Sequence, residues 1–511
     1  MATGADVMYQ TALAAGIDTC FANPGTTEMA MVSSLDRVDG MRAVLTTFEG
    51  VASGAADGFW RVTGRPALGL FHLGPGFANA LANEHNARRG FSPVINLIGD
   101  QTTWHLAADA ALTSDVERLT TWAGWHRYVA SPNDISADTA AAIEAATTGP
   151  QGPASLVIPA DVTWEQAPDV LSPVTLGSLR RLTADEIESV AATLQEPGAA
   201  LILGGAWLTA DMAHDVRAIR AATGCGAFAY RISNNEAGRG VPAVAGIPYF
   251  PEGAQRALAG VETAVLLGTD EPVTFFGYPD VPSATLPESA RRVTAGGPEA
   301  DVAQALADLV AALGATQPAT TDATEPVTAV TGALDVDSLG RNVAAGLPDD
   351  AVVVQEGVTS AAGLVRYLPS AAPHRSFGLS GGAIGGGLPM AVGAATGAPG
   401  RRVVAFQADG SSLYTIQSLW TMARESLDVT VVLCNNQRYA ILDVELARAG
   451  VEQPGPKAAS LTSLADPVVD FTSVARGFGV PATRATSADE FNQQFAAALV
   501  EPGPHLIEAM L

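Results

Sequence analysis

The chain has 511 residues, 48% of them apolar, enough to bury several cores and, at ordinary domain sizes, to form about three domains. Its formal charge of -25 is spread along the chain, so it reads as a solvated surface and argues against a nucleic-acid partner. No run reaches membrane-spanning length free of charges or loop residues, and Met1 to Ala22 is interrupted by Asp6, Gln10 and Asp18 where a signal peptide would be continuous, so a cytoplasmic protein with no membrane partner is expected.

Short apolar runs alternate with amphipathic ones from the start: TCFA then Met29 to Ser34, AVLTTF then Glu49 to Thr63, ALGLF then Phe77 to Arg89, and then VINLIGD. This alternation predicts a parallel sheet covered on both faces, closing after the strand SLVIPA near Pro159. Beyond TWEQAPDVLSPV, a second α/β pattern opens with a helix from Ala184, the strand ALILGG and a helix around Met212 to Ala222. The Thr/Ala/Pro-rich stretch from Ala315 to Val330 has the composition of a linker. A third unit follows: a helix from Asp337, strand AVVVQE, a Gly-rich loop, strand VVAFQ, a helix from Tyr414 to Glu425, strand VTVVLC and a last strand HLIEAM. Cys20, Cys225 and Cys434 are scattered and odd in number, which argues against a disulfide framework or a CxxC metal site. The single lysine, Lys457, lies in the loop QPGPKAAS, a context that fits no Schiff-base, PLP or P-loop chemistry.

The strand Val403 to Gln407 runs into Ala408-Asp409-Gly410-Ser411-Ser412 and then a helix. That order puts a carboxylate and open backbone N–H groups at a strand's carboxyl end, where open α/β sheets bind ligands. The next strand ends in Asn435-Asn436, with Asn436 27 residues beyond Asp409, room for one crossover helix and a neighbouring strand. Oxygen ligands that converge there suit magnesium bridging a diphosphate; an ordinary βα turn with an Asp cap is the plain alternative. In the first unit, Phe48-Glu49-Gly50 stands between AVLTTF and the small-residue helix VASGAADGF. A carboxylate largely buried there wants a proton-sharing ligand, the plain alternative being an acid near a helix N-terminus. The loop GLSGGAIGGGLP, Gly378 to Pro389, carries one branched apolar residue, Ile384, and matches no dinucleotide fingerprint.

The run ADGSSLYTIQSLWTMARESLDVTVVLCNNQRYAI resembles the motif of thiamine diphosphate-dependent enzymes, GDG followed about one βα unit later by NN, with Ala408 replacing the first glycine. The resemblance covers nearly the whole chain. FANPGTTE, LTTFEGVASGAADGF, HLGPGFANALANEHNARR and GGAIGGGLPMAVGAA look most like acetolactate synthase large subunits, while Asn23-Pro24-Gly25-Thr26 and the His72 of LFHLGPG look like the active-site loops of benzoylformate decarboxylases. The spacing of 23 residues between Glu49 and His72 agrees with the latter.

The resemblance implies an α/β fold of three domains, two similar doubly wound parallel-sheet thiamine diphosphate-binding domains flanking a smaller Rossmann-like middle domain. The expected boundaries are 1–165 for the pyrimidine-binding domain, 180–314 for the middle domain, 315–334 for the linker and 335–511 for the diphosphate- and magnesium-binding domain. It implies magnesium on Asp409, Asn436 and the carbonyl of Arg438, and cofactor contacts from Glu49, Asn23, Thr359, Gly382, Ile384, Asp409, Gly410, Ser411 and Asn436. Glu49 would bond the aminopyrimidine N1', the Gly382 carbonyl would accept from the 4'-amino group, and Ile384 would wedge the two rings into a V. His72 and Thr26 join Glu49 as catalytic candidates, for proton transfer and substrate contact, and Ile441 and Leu442 would form an apolar wall. His72 also reads as a structural strand-end histidine, and His85 as a surface or interface residue on an amphipathic helix.

The implied reaction is decarboxylation of a 2-oxo acid and/or ligation of the resulting fragment to a second carbonyl, an aldehyde or second 2-oxo acid, with a non-ligating decarboxylase as the alternative. A homodimer or homotetramer is implied. FAD is not expected, since the middle domain is short and shows no FAD-contacting motif. A catalytically silent homologue acting as a partner subunit, or a magnesium enzyme acting on another diphosphate, are the rival readings. The intact Glu49, Asp409 and Asn436 argue against the first, and Glu49 in an apolar setting against the second.

Overall fold

The computed structural model describes residues 2–168, 170–318 and 325–511. The chain forms two compact units, one of Met1–Ala146, Gly152–Leu176 and Glu325–Leu511, the other of Thr147–Gln151 and Gly177–Thr324. Of the expected linker, residues 319–324 lie outside the described residues. Among the described residues, no helix is long and apolar enough to cross a membrane.

The larger unit begins with α1 (Gly4–Ala14), β1 (Thr19–Asn23), α2 (Met29–Ser34), β2 (Arg42–Leu45), α3 (Glu49–Thr63), β3 (Ala67–Phe71), α4 (Leu73–Arg89), β4 (Val94–Asp100), α5 (Val116–Ala123), β5 (Trp125–Tyr128), α6 (Ile135–Thr147), β6 (Ala154–Pro159) and α7 (Ala160–Trp164). Its six strands order as β2-β1-β3-β4-β6-β5, all parallel. Central strands such as ALGLF and VINLIGD are buried along their whole length, as strands covered by helices on both faces must be. The helix after β3 starts at Leu73, one turn earlier than its apolar periodicity suggests, because Pro75 falls in the first turn, where its missing N–H costs nothing.

The smaller unit holds α8 (Ala184–Leu194), β7 (Ala199–Leu203), β8 (Trp207–Leu208), α9 (Ala210–Thr223), β9 (Gly226–Ala229), β10 (Asn234–Ala237), β11 (Ala245–Gly246), α10 (Pro251–Leu258), β12 (Thr263–Leu267), β13 (Arg291–Gly296) and α11 (Val302–Ala312). Five of its strands form a parallel sheet ordered β11-β9-β7-β12-β13, and Leu201, Leu203, Val265 and Leu306 lie in its core.

The remainder of the larger unit runs through α12 (Val336–Gly346), β14 (Ala351–Glu356), α13 (Ala361–Tyr367), β15 (His374–Gly378), α14 (Gly387–Gly397), β16 (Val403–Ala408), α15 (Asp409–Ser412), α16 (Ser418–Arg424), β17 (Val429–Asn435), α17 (Ala440–Arg448), α18 (Pro456–Thr462), α19 (Phe471–Gly477), β18 (Ala482–Ala485), α20 (Ala488–Val500) and β19 (His505–Met510). Its six strands order as β15-β14-β16-β17-β19-β18 and are parallel. This is the order of the first sheet: the chain enters on an inner strand, moves one place outward, then crosses back. The fold is thus mixed α/β with parallel sheets in a three-domain architecture. The expected helix from Tyr414 shrinks to α16, because residues 413–417 make turns that bring the buried Thr415 hydroxyl to the Gly385 carbonyl at 2.8 Å.

Helices α3 and α14, which follow equivalent strands of the two sheets, pack directly on each other. A Cβ on Gly58 would run into the Met390 carbonyl, and one on Gly393 into the Ala55 carbonyl, so only glycine permits this approach. Phe59, Leu388, Met390 and Val392 of this contact lie in one core with Phe21, Phe71, Val354 and Val431. On the same helix, Arg61 is wholly buried. Its guanidinium bonds both oxygens of Asp57 (2.6 and 3.0 Å) and reaches the Gly378 carbonyl and the Ser380 hydroxyl, each at 3.1 Å. Removing one partner of such a pair strands a buried charge. Arg61→Ala should therefore lower the unfolding free energy by about 3–5 kcal/mol in urea denaturation, and a loss under about 1 kcal/mol would contradict this account.

Glu84 of α4 is wholly buried. One oxygen accepts from the Asn96 amide at 2.9 Å and the other has no partner among the described residues; burial, with Asp57 nearby, pushes its carboxyl up to about 8. The folded value exceeds the ordinary 4.5, so the native state holds this proton where the unfolded chain has lost it. Its contribution is complete below about pH 4.5 and is lost as pH rises through about 8, at about 1.4 kcal/mol per pH unit. Glu84→Gln should flatten the stability profile between about pH 5 and 8; urea midpoints that track the parent across that range would show the proton to be elsewhere.

Candidate active site

In each set of six strands the chain first reverses direction between β1 and β3 and between β14 and β16, and ligands bind outside the carboxyl ends of strands at such points. The first reversal carries Asn23 at the end of β1 and His72 directly after β3. Glu28, wholly buried, accepts from the Gly25 N–H at 2.7 Å, from the His72 Nδ1 at 2.8 Å and from the Thr27 hydroxyl at 2.5 Å. A carboxylate accepting three bonds makes Nδ1 the donor and leaves Nε2 free of it. A Cβ on Gly25 would enter the His72 ring, and one on Gly99 would enter Glu28. Leu73, next to His72, adopts φ 50°, a conformation non-glycine residues take only when their surroundings impose it.

Glu49 is the first residue of α3 and 7% exposed. The Asn79 amide donates to its Oε2 at 3.0 Å. Gly76 lies between the two groups: a Cβ there would stand 3.0 Å from Glu49 Oε1 and 3.2 Å from the His72 Cβ. Glu49 and His72 therefore lie on either side of one glycine. Thr26 is exposed, and it is Thr27 whose hydroxyl reaches His72 Nδ1, at 3.3 Å. Asn23 is half-buried at the strand end.

At the second reversal, Asp409 is 2% exposed. Its two oxygens accept from the N–H groups of Gly410 and Gln437, each at 2.7 Å, so Asp409 and the turn beginning at Asn436 do converge. Burial raises its pKa despite these bonds, and among the described residues no cationic side chain pairs with it. The turn is held by Asn435, whose amide donates to buried Glu508 at 2.7 Å and whose Oδ1 accepts from the Gln437 N–H at 3.1 Å. Gln437 has φ 57°, and the Asn436 Oδ1 accepts from the Arg438 N–H at 3.1 Å. The Asp409 carboxylate, the Asn436 amide oxygen and the backbone carbonyl of Arg438 are all hard oxygen donors. They fit magnesium, and a buried carboxylate without a counter-charge is the group a cation would relieve.

Gly410 leaves no room for a Cβ beside the Tyr439 ring. The Ser411 hydroxyl is turned inward, accepting from Gln407 Nε2 at 2.6 Å, so only its backbone is left for a ligand. Thr359 is half-buried beside Val358, whose φ is 49°. Leu442 is exposed and Ile441 half-buried.

The Gly-rich loop is tied to α4. Asn86 donates to the Ala383 carbonyl at 2.8 Å and accepts its N–H at 3.2 Å, and Asn83 donates to the carbonyls of Gly50 (2.7 Å) and Gly385 (3.4 Å). His85 is not a free surface residue: its Nε2 lies 3.1 Å from the Gly381 carbonyl and its ring stacks on Trp122 at 5.4 Å. Gly382 is exposed with φ 78° and Ile384 is half-buried. Beneath the loop lies Glu356, 3% exposed, accepting the N–H groups of Gly385 and Gly387, its pKa raised by burial to about 7. Among the described residues, Glu49 and His72 share no hydrogen bond with Asp409, Asn436 or Arg438.

Glu28, Asn79, Asn83, Asn86 and Glu356 escape a reading of the sequence. Glu28 leaves a trace, three residues beyond Gly25 as in a capping box, and Glu356 another, as the acid that ends AVVVQE. If Glu28 orients the imidazole, Glu28→Gln should remove the preference for the Nδ1–H tautomer of His72, read from its ¹⁵N shifts; a His72 spectrum identical to the parent's would dismiss the pairing.

The description "Thiamine pyrophosphate enzyme, N-terminal TPP binding domain" matches residues 2–119, and "Thiamine pyrophosphate enzyme, C-terminal TPP binding domain" matches residues 357–509. The chain is 44% identical over 518 residues to a Mycobacterium tuberculosis protein provisionally named acetolactate synthase large subunit, covering 99% of each. It is 27% identical to benzoylformate decarboxylase of Pseudomonas aeruginosa, covering 96% of each. Among solved structures, the thiamine diphosphate-dependent 4-hydroxybenzoylformate decarboxylase of Rhodococcus jostii RHA1 matches with a TM-score of 0.85 at 25% identity, over 99% of this chain and 98% of that one. With both binding domains matched and one relative this similar along its full length, the chain belongs to the thiamine pyrophosphate-dependent enzymes of the acetolactate synthase and decarboxylase superfamily.

Proposed function

We propose that this chain uses thiamine diphosphate and magnesium to decarboxylate a 2-oxo acid, passing the remaining fragment to a proton or to a second carbonyl compound, an aldehyde or another 2-oxo acid. The observation that carries the reading is the placement of Glu49 near a histidine: Glu49 and the Glu28-bound His72 flank Gly76. Thiamine diphosphate, when bound, supplies a nucleophilic carbon and accepts the electron pair released with CO2. Asp409, Asn436 and the Arg438 carbonyl would hold magnesium on the diphosphate. Glu49, with Oε2 occupied by Asn79, keeps Oε1 to share a proton with the aminopyrimidine. The Gly382 carbonyl would accept from its amino group, and Ile384 would support the rings from below.

His72, with Nδ1 on Glu28, is left to give or take a proton at Nε2. That pair favours a second, narrower reading in which the fragment is protonated and released as an aldehyde. It is supported by the likeness to benzoylformate decarboxylase, as ligation is by the likeness to the acetolactate synthase relative. A homodimer or homotetramer belongs to this reading, because in the resembled family a glutamate such as Glu49 meets the metal domain of another subunit.

Calorimetric titration should show thiamine diphosphate binding that a chelator abolishes. Glu49→Gln should keep the affinity within a few-fold yet lower turnover of 2-oxo acids by about 100-fold or more. Absence of binding by the parent would sink the cofactor reading, and undiminished turnover in the variant would sink the role of Glu49. Product analysis over a panel of 2-oxo acids, with and without aldehyde acceptors, separates release from ligation; His72→Ala should depress release more than ligation.

A further inference from the structure

Ile384 is bracketed by peptide groups that are fixed on both sides. Ahead of it, Ala383 has its N–H and its carbonyl on the two ends of the Asn86 amide (3.2 and 2.8 Å). Behind it, the Gly385 carbonyl accepts from the Thr415 hydroxyl at 2.8 Å, and the Gly385 N–H goes to Glu356 Oε1. The other Glu356 oxygen takes the Gly387 N–H. A Cβ on Gly387 would lie 2.6 Å from that oxygen and would enter Gln407, so bare backbone rests directly on the carboxylate. Gln407 Nε2 donates to the Ser411 hydroxyl at 2.6 Å, which lies 3.4 Å from the Glu356 carbonyl. The acidic side chain therefore joins the end of β14 to the loop that carries Ile384, while the backbone carbonyl of the same residue reaches the turn that carries Asp409.

Glu356 is 3% exposed, and among the described residues its partners are backbone N–H groups and the Gln407 amide rather than a cation. Burying a carboxylate in this way is costly, while an apolar side chain would avoid that cost only by leaving the Gly385 and Gly387 N–H groups without their acceptor. What the carboxylate adds is two charge-assisted bonds of fixed direction, two residues apart, onto a glycine-rich segment that would otherwise be free to move.

We propose that Glu356 is a positioning residue that sets the height and tilt of Ile384 and, through it, the bend of bound thiamine diphosphate. This rests on the cofactor reading given above. Glu356→Gln keeps the shape but presents an amide nitrogen to one of the two N–H groups, so one bond is lost. In the cofactor-free protein, hydrogen exchange of Gly385 and Gly387 should then quicken by about tenfold or more. Affinity for thiamine diphosphate with magnesium should fall by about tenfold, and the near-ultraviolet circular dichroism of the bound cofactor should change. A general loss of stability would leave that spectrum unaltered at saturation. Should Glu356→Gln fail to fold, Thr415→Val removes the neighbouring restraint on Gly385 and should move the same readouts in the same direction. Unchanged loop exchange, or an unchanged cofactor spectrum alongside faster exchange, would overturn the proposal while leaving the cofactor reading intact. Failure of the parent protein to bind thiamine diphosphate would overturn both.

Discussion

The approach of α3 to α14 through bare backbone, Gly58 against Met390 and Gly393 against Ala55, is the constraint on which the larger unit depends. Each helix follows the second strand of its sheet, and each begins at a candidate cofactor contact: Glu49 opens α3, and α14 opens where the Ile384 loop ends. The contact thereby fixes both at once. A methyl group at either glycine would push the helices apart and carry those ends with them, since close-packed interiors transmit displacement rather than absorb it. Arg61 adds direction to the contact by tying α3 to Gly378 and Ser380, at the start of that loop.

Acid groups buried without cations are the second theme. Glu28, Glu49, Glu356 and Asp409 are each at least nine-tenths buried, yet the groups that satisfy them are backbone N–H, a hydroxyl, amides or one histidine. In a low-dielectric setting buried carboxylates attract cations strongly. In the proposed function magnesium would supply positive charge at Asp409, and Glu49 would share a proton with the cofactor. Positive φ at Leu73, Val358 and Gln437 shows the backbone bent around these same places, as happens where surrounding structure over-determines a site.

Much of this was readable along the chain. Parallel strands buried on both faces announce themselves as continuous apolar runs, and the acids and asparagines that follow them lie in loops whose place at the sheet edge follows from topology. Asp409 and Asn436 were legible for that reason: a strand, one crossover and a neighbouring strand bring their ends together. Other residues were not. His85 has the periodicity of a surface position, and only the fold of the Gly-rich loop back onto α4 makes it a partner of Gly381. Thr26 and Thr27 are adjacent and chemically alike, and the turn after Asn23 decides which hydroxyl faces His72. Tyr414 stands in a run that leads directly into α16, but the bond from Thr415 to Gly385 diverts the chain before a helix can start there.

The sequence by itself determined the parallel α/β class, the likeness to thiamine diphosphate enzymes and the positions of Glu49, His72, Ile384 and Asp409, because these depend on local periodicity and on residues that stand next to strand ends. Tertiary structure alone decided what holds those residues in place: Glu28 behind His72, Asn79 beside Glu49, Glu356 under the Ile384 loop and glycine between α3 and α14. Each of these is a contact between segments that are not neighbours in the element pattern, made by a side chain or a bare Cα whose partner is chosen by distance in space. Spacing along a chain carries no record of that distance until the sheets have paired and the helices have closed upon each other.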